Sequence, residues 1–411
     1  MFDAIVVGAR CAGSPTAMLL ARKGYKVLLL DRGTFPSDMP FSNHYVHQAG
    51  SAALKRWGLL DKLAATNCPP ITTNHWDYGA FTLTGSPPPS DGVATAYAPR
   101  RLKLDPVLVD AAVASGVELR EGFSVQELVF DKDRVTGIRG HQKNGAVVTE
   151  SARIVVGADG MFSTVAKAVK AEEYNSKPPL EGSWYSYWSG VKMQGWHLWL
   201  RPNKVFFAFN TNDNLTLIGA AFAARDLPSA RADVEGEYSR AFAQHVPELA
   251  ERMQSGRRET RFVGGAIPSH VRKPYGPGWA LVGDAGYQKD PCTASGITDS
   301  LRSAEWLADA IDAGLSGRRP LDEALAAYEQ HRNQSELPYY EFTSQLATLD
   351  PPAPETIQLL AALQHNPEQR SRWFGVFAHT VPVQEFFAPE NVQRIMSGKS
   401  PGDAVRPVPV T

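Results

Sequence analysis

Residues 6–13, "VVGARCAG", follow a short β-branched run, "DAIVV" (3–7), and precede "SPTAMLLARKG" (14–24). The latter reads as a helix, with Pro15 in its first turn and Gly24 just past its end. "YKVLLLD" (25–31) then supplies a second strand. Strand, glycine loop, helix and strand make a βαβ unit, and Gly8-x-x-x-x-Gly13 has nearly the spacing of a dinucleotide-binding loop. In such a loop the helix N-terminus presents free N–H groups to a pyrophosphate. Asp31, 23 positions after Gly8, is placed to accept hydrogen bonds from a ribose. A carboxylate there repels a 2′-phosphate, so the tightly held cofactor is expected to be NAD or FAD and not NADP. Ala12 belongs to the same loop. Arg10 stands where the fingerprint has its second glycine. A guanidinium directed outward would leave the backbone free to approach the phosphates and would suit a dianion; a side chain pointing to solvent is the equal alternative.

Composition bounds the rest. The chain has 411 residues, 43% hydrophobic and 21% charged, which suits a globular protein with a sizeable core. Lys and Arg number 42 against 43 for Asp and Glu, and no basic block suggests nucleic acid as a partner. Apolar runs are strand-sized, so neither a membrane span nor a signal peptide is expected. Cys11, Cys68 and Cys292 are too few and scattered for a disulfide framework or a zinc site. No metal and a cytoplasmic location are the expectations.

Two later stretches, "RIVVGADGMFSTVAK" (153–167) and "WALVGDAGYQKDPCTASGITDSLRSAEWLADAI" (279–311), separate the two dinucleotides. With the first loop they resemble, in order and separation, the three signatures of the FAD-dependent monooxygenase superfamily. That group holds aromatic hydroxylases, flavin-dependent halogenases and geranylgeranyl-type reductases. The resemblance spans residues 1 to about 310. It implies an α/β fold: a doubly wound, Rossmann-like FAD-binding domain with an inserted antiparallel substrate sheet and a short helical C-terminal segment. The FAD-binding parts would be 1–75, 99–178 and 263–335, the substrate parts 76–98 and 179–262, and the tail 336–411.

In the second signature Asp159-Gly160 reads as a tight turn after a strand, and in the family this segment lies near the pyrophosphate and the transient nicotinamide site. In the third, the strand ends at Gly283-Asp284, and the family's aspartate here accepts hydrogen bonds from the ribityl hydroxyls. A buried unpaired Asp is costly, so a polyol partner makes sense of it. Ile297, Leu301, Ala304, Ala308 and Ile311 recur at helical spacing, so a helix begins near Gly296. Its first amides, with Gly296 and Ile297, would face the isoalloxazine, where reduced flavin carries negative charge. Pro291 and Gly296 match the family's loop, whereas Thr298 stands where many hydroxylases carry Asn. Cys292 reads as a packing residue.

Further resemblances place His47, just ahead of a helix in "FSNHYVHQAGSAALKRWGLLDKL" (41–63), as a contact of flavin or substrate or as a structural histidine. Arg100 and Arg101 compete for the arginine that approaches the cofactor, with Arg101 preferred, and Arg32 beside Asp31 joins the cofactor-binding set. "GSWYSYWSGVKMQGWHLWLRPNKVFFAFNTNDNLTLIGAAF" (182–222) alternates as antiparallel strands with turns at Gly195, Pro202-Asn203 and Asn212-Asp213-Asn214. About half of its aromatics should face a planar ligand, with Tyr187, Trp199 and Phe207 taken as substrate-binding residues.

The function implied is FAD-dependent oxygenation of a small hydrophobic or aromatic substrate. Reduced flavin would meet molecular oxygen to give a C4a-hydroperoxide, with little demand on side chains; no catalytic triad or carboxylate pair is conspicuous. His47, Pro291 and Gly296 would be nearest the chemistry. No second glycine fingerprint marks a nicotinamide domain, so NAD(P)H would bind transiently or act through a separate flavin reductase. A homodimer contact is one role open to the tail. A geranylgeranyl reductase-like enzyme acting on C=C bonds is the main alternative, followed by a halogenase and a non-catalytic FAD binder. The halogenase is disfavoured because "WHLWLRP" lacks the Trp-x-Trp-x-Ile-Pro pattern.

Overall fold

A computed structural model describes residues 1–398 apart from Pro40 and Asn144; the stretch 399–411 of the expected C-terminal segment lies outside the described residues. Strand Phe2–Val7 is central in a mostly parallel sheet, with Val27–Leu30 and then Glu118–Arg120 on one side. On the other side lie Val147–Gly157 and then Trp279–Leu281. Apart from the half-buried Asp3, Phe2–Val7 and Val27–Leu30 are buried apolar runs, as a parallel sheet covered on both faces requires. The chain leaves the central strand for one neighbour and later returns on the other side. That reversal opens a crevice at the carboxyl ends of the strands.

Helices Gly13–Arg22, Arg101–Ala114 and Gly296–Leu315 bury one face of this sheet, and Ile297, Leu301, Ala304, Ala308 and Ile311 all lie in that core. The opposite face departs from simple double winding. It is covered mainly by the antiparallel pair Phe123–Asp131 and Arg134–Gln142, with the short helix Thr164–Ala168 beside it, because Phe123, Leu128, Val135 and Ile138 supply its apolar cover.

A second sheet runs, in spatial order, Arg257–Arg258, Glu181–Ser189, Thr216–Ala223, Lys204–Asn210, Trp196–Arg201, Asn74–Asp77 and Thr82–Gly85. The expected turns are present, with Gly195, Asn203, Asp213 and Asn214 all at positive φ. Strand alternation divides its side chains. Tyr185, Tyr187, Trp196, Leu198, Phe207 and Phe209 pack on one face. Trp184, Trp188, Trp199 and Phe206 pack on the other, against helices within 227–255 that the sequence reading did not anticipate.

Helix Leu321–Ala347 runs through position 335, where the sequence reading ends the third FAD-binding segment. After it, helices Pro354–Ala362, Pro367–Phe377 and Pro389–Met396 lay Leu360, Trp373, Phe374 and Ile395 on the face that carries Tyr187.

Candidate active site

The three signatures meet at the crevice. Gly8 has φ +103°, and a Cβ there would stand 2.4 Å from the carbonyl oxygen of Ala158. A Cβ on Gly13 would lie 1.7 Å from the oxygen of Gly8, and one on Gly283 2.7 Å from the Cβ of Ala12. Gly8 is therefore required by close backbone approach to the end of the Val147–Gly157 strand, Gly13 by the tight turn of the first loop itself, and Gly283 by the approach of Ala12. Asp31 ties the loop down by accepting from the N–H groups of Ala9 (2.8 Å) and Gly33 (2.7 Å). A carboxylate has further lone pairs for a ribose hydroxyl. Arg32 beside it is exposed.

Arg10 is directed outward, as the open-backbone argument requires, but into an ion pair and not into solvent. Its guanidinium pairs with Asp105, donates to Ser37 Oγ at 2.9 Å and lies over the Phe35 ring at 5.3 Å. Arg101 occupies the other side of the same carboxylate, with Nε 2.8 Å from Asp105 Oδ1, and is itself buried. Arg100 instead pairs with Asp213 and lies over Tyr187. Asp105 was missed in the sequence, although an acid four residues after Arg101 on a helix is a readable signal. The Cys11 thiol is 3.6 Å from Asp105, and burial pushes it up to about 12, so it is inert.

Asp159 accepts from Ser163 Oγ (2.5 Å) and from the Thr164 N–H (2.6 Å), capping the short helix that follows. Gly160, at φ +79°, makes the expected tight turn. Beside it lies a solvent-open cavity of about 420 Å3 lined by Met161, Phe162, Lys177, His270 and Arg272.

Asp284 differs from Asp159: no hydrogen bond reaches its carboxylate among the described residues. Burial raises its pKa to about 6, against the pull of Arg101 and Lys289. A half-buried carboxylate without a donor has its lone pairs free to accept from hydroxyl groups.

The loop from Lys289 to Asp299 is clamped on several sides. His47 Nε2 donates to the Thr293 carbonyl at 3.0 Å, and the His47 N–H donates to Thr298 Oγ1 at 3.0 Å. Burial drives the imidazole down to about 4, so it is neutral and holds the loop. Thr298, the departure from the hydroxylase pattern, thereby has a structural task. Pro291 opens the short turn Pro291–Thr293, and Ala294 follows at φ +54°. Ser295 Oγ and the Tyr339 hydroxyl are 3.1 Å apart. Gly296 begins the long helix, is exposed, and a Cβ there would meet nothing within 4 Å. Ile297 turns inward to the core.

Lys289 and Asp299, at the two ends of this loop, form a buried ion pair. His379, from the C-terminal segment, joins them: its Nε2 is 3.3 Å from Asp299 Oδ1, and its ring lies 4.2 Å from that of Tyr339. Ligand-type atoms of Asp299, Glu336 and His379 lie within 4.8 Å of one another. Arg302 donates to His379 Nδ1 at 2.9 Å and to Glu336 at 2.6 Å. In a neutral imidazole that leaves the proton on Nε2, on the side of Asp299 Oδ1, although neither of those two atoms makes a hydrogen bond among the described residues.

The aromatic calls divide. Tyr187 and Phe207 share the sheet face nearest this loop, Tyr187 hydrogen-bonded to His44 Nε2 at 2.8 Å and Phe207 lying over Gly219. Trp199 does not belong with them. It falls on the opposite face, packed against the outer helices, because residues 198 and 199 of one strand necessarily point to opposite sides. Tyr45, His47 and Trp196 complete an aromatic wall, with ring centroids 4.6–5.5 Å apart.

A glycine-rich loop at a helix start, an acid at the end of the next strand, a carboxylate without a hydrogen-bond donor among the described residues and an open helix N-terminus are compatible with an extended dinucleotide. The known proteins agree. The family described as "FAD binding domain" matches residues 1–337. The chain is similar to digeranylgeranylglycerophospholipid reductase of Methanothrix thermoacetophila, at 24% identity over 81% of this chain and 83% of that protein. It is also similar to flavin-dependent halogenase armH3 of Armillaria mellea, at 25% over 83% of this chain and 72% of that one. Among solved structures, pqsL from Pseudomonas aeruginosa, a probable FAD-dependent monooxygenase, has the same fold. The TM-score is 0.70 at 19% identity, covering 92% of this chain and 99% of that one. The chain belongs to the FAD binding domain family and is an FAD-dependent oxidoreductase.

Proposed function

We propose that this protein is an FAD-dependent monooxygenase acting on a small, flat, apolar molecule. FAD supplies the two-electron chemistry with oxygen, and the chain's own residues exclude water and orient the acceptor. Gly8, Ala12 and Gly13 would take the pyrophosphate, Asp31 the ribose and Asp284 the ribityl chain, with the isoalloxazine against the Pro291–Ile297 stretch. The observation that carries the reading is the aromatic wall of Tyr45, His47 and Trp196 packed directly on the loop that ends at the open Gly296. A buried, water-excluding aromatic cluster beside an open helix start suits oxygen chemistry better than hydrolysis. Reduced nicotinamide is the proposed electron source. The cavity beside Phe162, a residue 70% exposed, with Lys177 and Arg272 in its lining, supports transient docking there.

The similarity to digeranylgeranylglycerophospholipid reductase over 81% of the chain supports a second reading, in which bound FAD would serve the reduction of an alkene and oxygen would take no part. Reducing the FAD-loaded protein anaerobically and then admitting oxygen separates the two. A transient absorbance belonging to neither reduced nor oxidised flavin is expected of the monooxygenase. Direct return to the oxidised spectrum, with and without aromatic additives, would favour the reductase.

A further inference from the structure

Helix Pro367–Phe377 ends in a pattern that usually calls for glycine. The Thr380 N–H donates to the Gly375 carbonyl at 2.9 Å and the His379 N–H to the Val376 carbonyl at 3.4 Å, a double closure that needs a left-handed residue just past the helix end. That residue is His379, at φ +58°. A side chain makes this backbone conformation costly, and glycine would avoid the cost. An imidazole kept here at such a cost directs attention to what the ring touches.

The ring is buried, with only 6% of the side chain exposed. Its Nδ1 accepts at 2.9 Å from Arg302, which lies on helix Gly296–Leu315. A guanidinium only donates, so in the neutral ring the proton sits on Nε2, 3.3 Å from Asp299 Oδ1 in the first turn of the same helix. Burial, with Arg302 and Lys289 nearby, keeps the ring neutral. Tyr339 makes a second bridge. Its ring centroid is 4.2 Å from that of His379, and its hydroxyl donates to the Phe377 carbonyl at 3.4 Å and lies 3.1 Å from Oγ of Ser295, the residue before Gly296. The helix that ends at His379 also lays Trp373 and Phe374 on the sheet face that carries Tyr187. One segment thus touches both that face and the helix start at Gly296, and its residues here lie beyond the 1–337 that the family matches.

We propose that His379 is a positioning residue for the flavin: with Tyr339 it fixes the first turn of helix Gly296–Leu315 against the C-terminal segment and so sets the reduction potential of FAD bound there. This rests on the FAD placement given above, in which the amides of that turn face the isoalloxazine and favour its reduced, negatively charged form. A turn free to shift presents those amides less squarely, so loosening it favours oxidised flavin.

Reduction potentials of the FAD-loaded proteins, measured at one fixed pH against a reference dye, test this. His379→Gly removes the ring and relieves the left-handed backbone, so the helix end is retained. Its two-electron equilibrium should move at least tenfold toward oxidised flavin, a fall in potential of ~30 mV. His379→Asn tolerates the same backbone and can still offer Arg302 an acceptor, so it should recover most of that shift. Tyr339→Phe keeps the ring and loses only the hydroxyl, and should shift the potential the same way by a smaller factor. An unchanged or raised potential in a His379→Gly protein that binds FAD normally overturns the proposal and leaves the FAD assignment standing. If that variant does not fold, an unchanged potential in Tyr339→Phe does the same. Equal shifts in the Gly and Asn variants would trace the effect to the space vacated and not to the Arg302 contact, which also overturns it. Failure of the wild type to bind FAD overturns the placement itself, and the proposal with it.

Discussion

Asp105 Oδ1 accepts from Arg101 Nε at 2.8 Å, and the other oxygen of the same carboxylate takes Arg10 from the first loop. Asp105 is fully buried and Arg101 nearly so, while Arg10 keeps partial contact with water. Removing the acid strands a buried guanidinium, which typically costs about 3–5 kcal/mol. Asp105→Ala should lose stability on that scale in urea titrations, and Arg10→Ala much less, because the Arg101–Asp105 pair survives. Equal losses in the two variants would show that Asp105 is not the shared anchor.

Asp284→Ala should remove the acceptor for the ribityl hydroxyls and weaken FAD binding by ~1–3 kcal/mol, roughly 5- to 150-fold. The affinity should also depend on pH. The free site titrates at about 6, and hydroxyl donors favour the ionised form, so bound FAD lowers this pKa. Binding therefore releases a proton, and wild-type affinity should rise as pH increases toward and through 6 and then level off. Asp284→Asn should show no such rise. Flavin fluorescence titrations at several pH values measure both effects, and an Asp284→Ala protein that purifies fully yellow would refute the assignment.

Gly296→Val tests the helix start. A Cβ at Gly296 meets nothing within 4 Å, so the cofactor-free variant should melt with the wild type. With FAD it should bind weakly or show a lower reduction potential, because the branched side chain stands between the flavin and the helix amides. Losing one well-placed donor to developing charge slows a reaction by ~100-fold or more. Equal potentials in the two proteins would reduce Gly296 to a turn residue.

His47 predicts an acid-labile component of stability. Its folded pKa is about 4, below the 6.5 of an exposed imidazole, through burial. A depressed value favours the folded state above pH 6.5, and that contribution is lost as pH falls from 6.5 toward 4. At 1.4 kcal/mol per pH unit the loss approaches ~3 kcal/mol. His47→Gln can still donate to the Thr293 carbonyl but does not titrate. Between pH 7 and 4 the wild type should lose more stability than the variant, and parallel urea midpoints would contradict this account.

Much of the candidate FAD site is local in the chain, and its elements are therefore legible in the sequence. The glycine loop, Asp31 at a strand end, and the helix starting at Gly296 each depend on spacing within a few turns of backbone. Contacts between distant segments were not legible, because no periodicity records them. Trp199 and Tyr187 look alike in an aromatic run, and only strand pairing assigns them to opposite faces. Asp105 under the two arginines and His379 against Asp299 each join residues from separate elements. The charge state of such groups follows from burial and neighbours, which exist only once the chain has folded.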